Sequence, residues 1–169
     1  MYDVLMLSVN QKEPSAFRLD DITVLALNKE GKYKPKYYHE IWPFLNNSDG
    51  ILYKVFTDGD FFEHECGDDL FNFDYDKNNE NSIPEVHRSS HKEIVKDLVG
   101  LSAKEIHKDH FVGLMQQVID VSPIKTILFL CRGQSHDMEI IMGTVTLNHF
   151  SQMLAEGSVC TNICYIISN

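Results

Sequence analysis

TILFLCRGQSHDMEIIMGTVTLNHFSQMLAEGSVCTNICYIIS, residues 126–168, switches hydrophobic period twice, and that switching decides the fold class. TILFLCR (126–132) is a short apolar run with β-branched and aromatic residues, and EIIMGTVT (139–146) is a second. Gly133 marks a turn between them, so the two predict a hairpin. The next ten residues, LNHFSQMLAE, read as a short helix from residue 147, capped by Thr146 and closed by Gly157. In SVCTNICYIIS (158–168), Val159, Thr161, Ile163, Tyr165 and Ile167 fall on one face, and Cys160, Asn162, Cys164 and Ile166 on the other. This predicts one final strand, largely buried on both faces, with Cys160 and Cys164 on the same side.

Working outward, YDVLMLSV (2–9), ITVLALN (22–28) and ILYKVF (51–56) read as strands, with turn chemistry in NKEGK and NNSDG between them. Two capping boxes predict helix starts, because Ser90 stands three residues before Glu93 and Ser102 three before Glu105. Gly100 would end the first of these helices. In the second, Ala103, Ile106, His110, Leu114 and Val118, with His107 and Phe111 alongside, recur at three- and four-residue steps and predict one buried stripe. Strands and helices are segregated rather than strictly alternating. The expected architecture is α+β, a mainly antiparallel β-sheet packed with two to three helices.

A chain of 169 residues, 43% hydrophobic and 11% aromatic, fits one globular domain over 1–169 with an adequate core. No apolar run reaches the roughly 18 residues of a membrane span, and the opening MYDVLMLSVNQKEP lacks the basic leader of a secretory signal, so a cytoplasmic protein with no membrane partner is expected. In that compartment Cys66, Cys131, Cys160 and Cys164, which show no CxxC spacing, are expected to be reduced and mostly buried.

Charge is the most unusual bulk property. The net charge is −10, and residues 57–80, TDGDFFEHECGDDLFNFDYDKNNE, hold nine acids against the single base Lys77. Such a field repels nucleic acid and attracts basic proteins. Disordered acidic tails are poor in aromatics, whereas Phe61, Phe62, Phe71, Phe73 and Tyr75 are threaded among these acids. In FFEHE and LFNFDYD the apolar residues fall partly at alternate positions, as in half-buried strands that show carboxylates on the other face. The candidate partner-binding residues are therefore Asp58, Asp60, Phe61, Phe62, Glu63, Glu65, Asp68, Asp69, Asp74, Tyr75 and Asp76.

Three patterns invite chemistry, and each has a plainer reading. DYDKNNENSIPE (74–85) imitates an EF-hand loop at its oxygen-bearing positions. It carries Asn79 in place of glycine, Asn81 where an apolar residue belongs and Pro84 before the last ligand, which leaves an acidic loop. His87 and His91, and His107 and His110, have spacings that suit zinc on a helix, yet no HExxH motif is present. His107 and His110 are expected to be hydrogen-bonded residues on or beside the apolar stripe. Cys131, Ser135, His136 and Asp137 crowd together in CRGQSHDME, but neighbouring side chains point apart where a triad must converge. No metal, no cofactor and no catalytic residue is assigned.

The segment GTVTLNHFSQMLAEGSVCTNICYIIS (143–168), taken with TILFLCRGQ before it, resembles the ending of small cytosolic immunity proteins that accompany bacterial contact-dependent growth inhibition and related polymorphic toxins. The resemblance lies in a pattern of strand, turn, strand, short helix and final strand; residues 1–120 have no counterpart in it. It implies a non-enzymatic protein that binds one cognate toxin, often a basic nuclease, and blocks it. An acidic, aromatic-studded surface suits a nuclease whose site is shaped for phosphates. The competing classes are a small metal- or thiol-dependent hydrolase and a regulatory protein-binding module without a toxin.

Overall fold

A computed structural model describes residues 2–27, 43–57, 70–75, 99–133 and 140–169. Its elements run β1 (Tyr2–Val9), β2 (Ile22–Ala26), α1 (Pro43–Asn47), β3 (Gly50–Thr57), β4 (Phe71–Asp74), β5 (Gly100–Ala103), α2 (Lys108–Val121), β6 (Thr126–Gly133), β7 (Ile140–Thr146), α3 (Leu147–Glu156), β8 (Val159–Cys160) and β9 (Ile163–Ser168). Six strands form one sheet in the order β2-β3-β1-β6-β9-β7, and three form a smaller one, β4-β5-β8. Every pair is antiparallel except β7 with β9. The fold is α+β and dominated by its sheets, as the segregation of strand and helix patterns predicts.

The large sheet owes its centre to sequence. β1 and β6 are apolar at nearly every position, which suits strands covered on both faces, and they pair from Tyr2↔Gly133 to Ser8↔Ile127. One face carries Val4, Met6, Tyr53, Val55, Ile127, Phe129, Cys131, Ile163, Tyr165 and Ile167. It packs on Phe111, Leu114, Met115, Val118 and Ile119 of α2, on Phe150, Met153 and Leu154 of α3, and on Phe71 and Leu101 of the small sheet. The other face carries Leu5, Leu7, Leu52, Leu128, Leu130 and Cys164 with Leu45 of α1.

Two expectations about the C-terminal segment need correction. β6 and β7 do not form a hairpin, because β9 lies between them, antiparallel to β6 (Leu128↔Ile166) and parallel to β7 (Ile140↔Ile163). The physical reason is the apolar content of the strands. β9 buries Ile163, Cys164, Tyr165 and Ile167 and belongs inside a sheet, whereas β7 leaves Gly143, Thr144 and Thr146 in water and suits an edge. The helix α3 supplies the crossover that a parallel pair requires. Its boundaries follow the sequence reading closely: the Thr146 hydroxyl accepts from the His149 amide, and Gly157 stops the helix at φ 70°.

The second correction is that SVCTNICYIIS is two strands. Asn162 adopts φ 61°, a left-handed conformation that asparagine tolerates, and breaks the alternation between β8 and β9. Its amide donates to the Cys131 carbonyl at 2.8 Å, its side-chain oxygen accepts from the Gly133 amide at 3.0 Å, and its carbonyl accepts from the Ile140 amide at 3.3 Å. One residue thus ties the end of β6, the start of β7 and the β8–β9 turn. In consequence Cys160 faces the main core and Cys164 the leucine face, not the same side.

Cys131, Cys160 and Cys164 are in no disulfide and are buried, as expected; Cys66 lies outside the described residues. Cys164→Ser places a hydroxyl among leucines and is expected to lower stability by roughly 1–3 kcal/mol in urea unfolding. Native Cys164 should resist thiol reagents, and rapid labelling at that position would contradict its burial.

The region after residue 99 also departs from the sequence reading. Gly100–Ala103 form β5, hydrogen-bonded to β4 on one side and β8 on the other, so Ser102 does not open a helix; the helix that Gly100 would end lies outside the described residues. Leu101, fully buried in the main core, favours the strand. Helix α2 starts only at Lys108, with His107 at its N-cap and no side-chain cap bond. Ile106, assigned to the buried stripe, precedes the helix and is 77% exposed. Phe111, Leu114 and Val118 do lie on the buried face, joined by Met115 and Ile119. The capping box at Ser90 lies outside the described residues.

Candidate functional site

β4 is fixed to the molecule by a row of aromatic rings. Residues 71, 73 and 75 share one side of an extended chain. Phe71 is buried against Phe111 at 5.1 Å between ring centroids and Phe129 at 6.4 Å; Phe73 is half-buried and stacks on Tyr2 at 4.3 Å, with planes 15° apart. Tyr75 follows 6.5 Å from Phe73 and is 69% exposed. The row therefore climbs from the core into water. Asn72 and Asp74, on the opposite side, are both exposed. The alternation read from LFNFDYD is present here: aromatic side inward, polar side outward.

Of the predicted partner-binding residues, the structure describes Asp74 and Tyr75, and both are exposed. Asp58, Asp60, Phe61, Phe62, Glu63, Glu65, Asp68, Asp69 and Asp76 lie outside the described residues, as do all but the first two residues of the EF-hand-like stretch. The attachment points of the acidic segment are nevertheless defined. The chain leaves β3 at Thr57, two residues past Val55, which pairs with Val4; Tyr2 stands two residues before Val4, on the same end of the sheet. β4, where the chain returns, stacks on that Tyr2 through Phe73. Thr57 and β4 thus both lie at one end of the large sheet.

A second cluster escaped the sequence reading. His107 and His110 both turn Nδ1 toward the carboxylate of Asp21, His107 to Oδ2 and His110 to Oδ1, the latter at 2.6 Å. The expectation of hydrogen-bonded histidines holds, but their partner is 86 and 89 residues away, which no local pattern signals. His107 is 14% exposed and His110 51%, so His110 is not on the buried stripe. Desolvation pushes the Asp21 carboxyl upward, but the hydrogen bonds and charges of the two histidines outweigh it and hold the carboxyl below its ordinary value.

The stretch CRGQSHDME divides at the edge of what is described. Cys131 and Arg132 lie in β6 and are buried, while Ser135, His136 and Asp137 lie outside the described residues, as do His87 and His91. Among the described residues no group of three or more His, Cys, Asp or Glu side chains is arranged to hold a metal ion. Thermal melts with and without a chelator are expected to coincide, since the described core closes around apolar side chains. A chelator-induced drop of several degrees would show instead that folding requires an ion.

Comparison of the chain with protein-family models, with curated proteins and with solved structures finds no match.

Proposed function

We propose that this chain is an immunity-type inhibitor, a protein that works in the cytoplasm by binding a basic protein toxin, best matched by a nuclease, and holding it inactive. The observation that carries this reading is the exposed end of β4. Tyr75 stands in water just past β4, beside Asp74 at the end of a strand anchored by Phe71, and the sequence is acid-rich on both sides of that strand. An exposed aromatic beside a carboxylate suits an arginine or lysine of a partner, through ring-face attraction and charge together. None of the described helices is long and apolar enough to cross a bilayer.

The strand–helix–strand ending of the chain, β7, α3 and β9, supports the same class through the resemblance of its sequence to immunity proteins. The test is co-expression with the product of the neighbouring reading frame in a toxin-sensitive cell, together with a binding measurement on the purified pair. Protection with a one-to-one complex is expected. A toxic neighbour that this chain neither binds nor neutralises would sink the proposal.

A further inference from the structure

We propose that the basic toxin docks by strand addition, laying an extended segment along the open edge of β4; this rests on the inhibitor reading above and names how that surface holds its partner. β4 is an edge strand of the small sheet, paired with β5. Which of its backbone groups face outward follows from the register. The Lys104 amide donates to the Leu70 carbonyl at 3.0 Å, so residues 70 and 104 form a hydrogen-bonded antiparallel pair. Such pairs alternate along a ladder, and Asn72 with Ser102 and Asp74 with Gly100 are the next two. Phe71 and Phe73 therefore turn their amides and carbonyls away from β5. The far side of β5 gives the same phase. The Thr161 amide donates to the Val99 carbonyl at 2.9 Å, so Val99 and Leu101 face β8 while Gly100 and Ser102 face β4. Among the described residues nothing bonds to the outward groups of Phe71 and Phe73.

An unpaired row of donors and acceptors on a strand is a template for another strand. Each of Phe71 and Phe73 offers one donor and one acceptor, which fixes the direction and register of an added segment, while Asp74 and Tyr75 supply charge and an anchor. Charge also selects the occupant. Asn72 and Asp74 are exposed on one side of β4, and half-buried Phe73 stands on the other with exposed Tyr75 beyond it. A strand laid alongside presents its side chains alternately to these two sides. The fitting segment is therefore extended and alternates a lysine or arginine, beside Asp74, with an apolar residue against Phe73. A second copy of this chain fits poorly, because the net charge is −10 and residues 57–80 carry the single base Lys77.

The test is NMR amide exchange on the isotope-labelled full chain, alone and saturated with the unlabelled product of the neighbouring reading frame. In the free chain the Asn72 amide, bonded to β5, should exchange slowly and the Phe73 amide faster. In the complex the Phe73 amide should slow by about tenfold, the effect of one added hydrogen bond. Isotope-filtered nuclear Overhauser effects should join that amide proton to backbone protons of the partner. If the partner binds while Phe73 exchanges as before, or touches β4 through side chains alone, this inference falls and the inhibitor reading stands. If the partner does not bind at all, the inhibitor reading falls and takes this inference with it. A Phe73 amide as protected as that of Asn72 in the free chain would show the edge already closed and overturn the proposal. Protection that grows with the concentration of the free chain would give the edge to a second copy and overturn it equally.

Discussion

Phe129→Ala is expected to lower the stability of the chain by about 3–5 kcal/mol. Phe129 lies in the middle of β6, fully buried, and its ring meets Phe150 at 5.1 Å, Phe111 at 6.1 Å, Phe71 at 6.4 Å and Tyr165 at 6.4 Å between centroids. Those four neighbours come from α3, α2, β4 and β9. One side chain therefore joins both sheets and both longer helices, and truncating it opens a cavity whose walls are held by four other elements and cannot all collapse inward. Domains of this size are stable by only about 5–15 kcal/mol, so the loss is a large fraction of the total. Urea unfolding should show the midpoint falling with little change in slope. Ile124→Ala, at a side chain 53% exposed, should stay within about 0.5 kcal/mol of the parent. A loss below about 1 kcal/mol for Phe129→Ala would mean that the aromatic cluster does not organise the core.

The second large effect concerns binding. Reversing Asp74 and Asp76 to Lys together, and separately Asp68 and Asp69, is expected to weaken toxin binding by roughly 2–5 kcal/mol wherever a reversed carboxylate is buried against a cation of the toxin. Rim acids contribute far less, which is why pairs and not single acids are reversed. Asp74 is exposed on the side of β4 that faces away from the core, so its replacement should leave folding intact. Tyr75→Ala should likewise cost binding without stability, since an exposed ring has little packing to lose and an anchor at an interface has much. Circular dichroism checks folding, and the toxin affinity with cell protection reads the outcome. If both double variants bind and protect like the parent, the acidic segment is a solvated flank and the interface lies elsewhere.

The elements of this fold were legible where a segment's own residues decide its state. β1, β3, β6 and α3 follow from apolar runs and caps that act within a few residues, and Thr146 and Gly157 mark α3 at both ends. Pairing was less legible, because a run such as TILFLCR does not name its neighbour. That β9 and not β7 lies beside β6 depends on which strand gains more from burial on both faces, a comparison across the whole sheet. The misread helix start at Ser102 has the same origin: a capping box is a local signal, and the pairing of Gly100–Ala103 with two other strands outweighed it. Asn162 carried its signal in the sequence, as an asparagine inside an alternating run, where a left-handed break is a known use of that residue. Of the candidate surface, the acids and aromatics were visible in composition, whereas the ordering of Phe71, Phe73 and Tyr75 from core to water required the neighbouring strands. Asp21 gave no local sign of meeting His107 and His110, since that contact exists only once β2 and α2 are brought together.

The central claim is that the surface around β4 recruits a basic protein through its charge. It is tested most directly by the association rate of the parent and of the Asp74→Lys, Asp76→Lys variant with the neighbouring toxin, measured by stopped flow from low salt to roughly 1 M, where screening shrinks the reach of a charge to about 3 Å. The parent's rate is predicted to fall steeply with salt while its dissociation rate changes much less, and the variant is predicted to associate slowly at every salt concentration with a shallower dependence. Equal rates and equal salt slopes for the two proteins would contradict the claim.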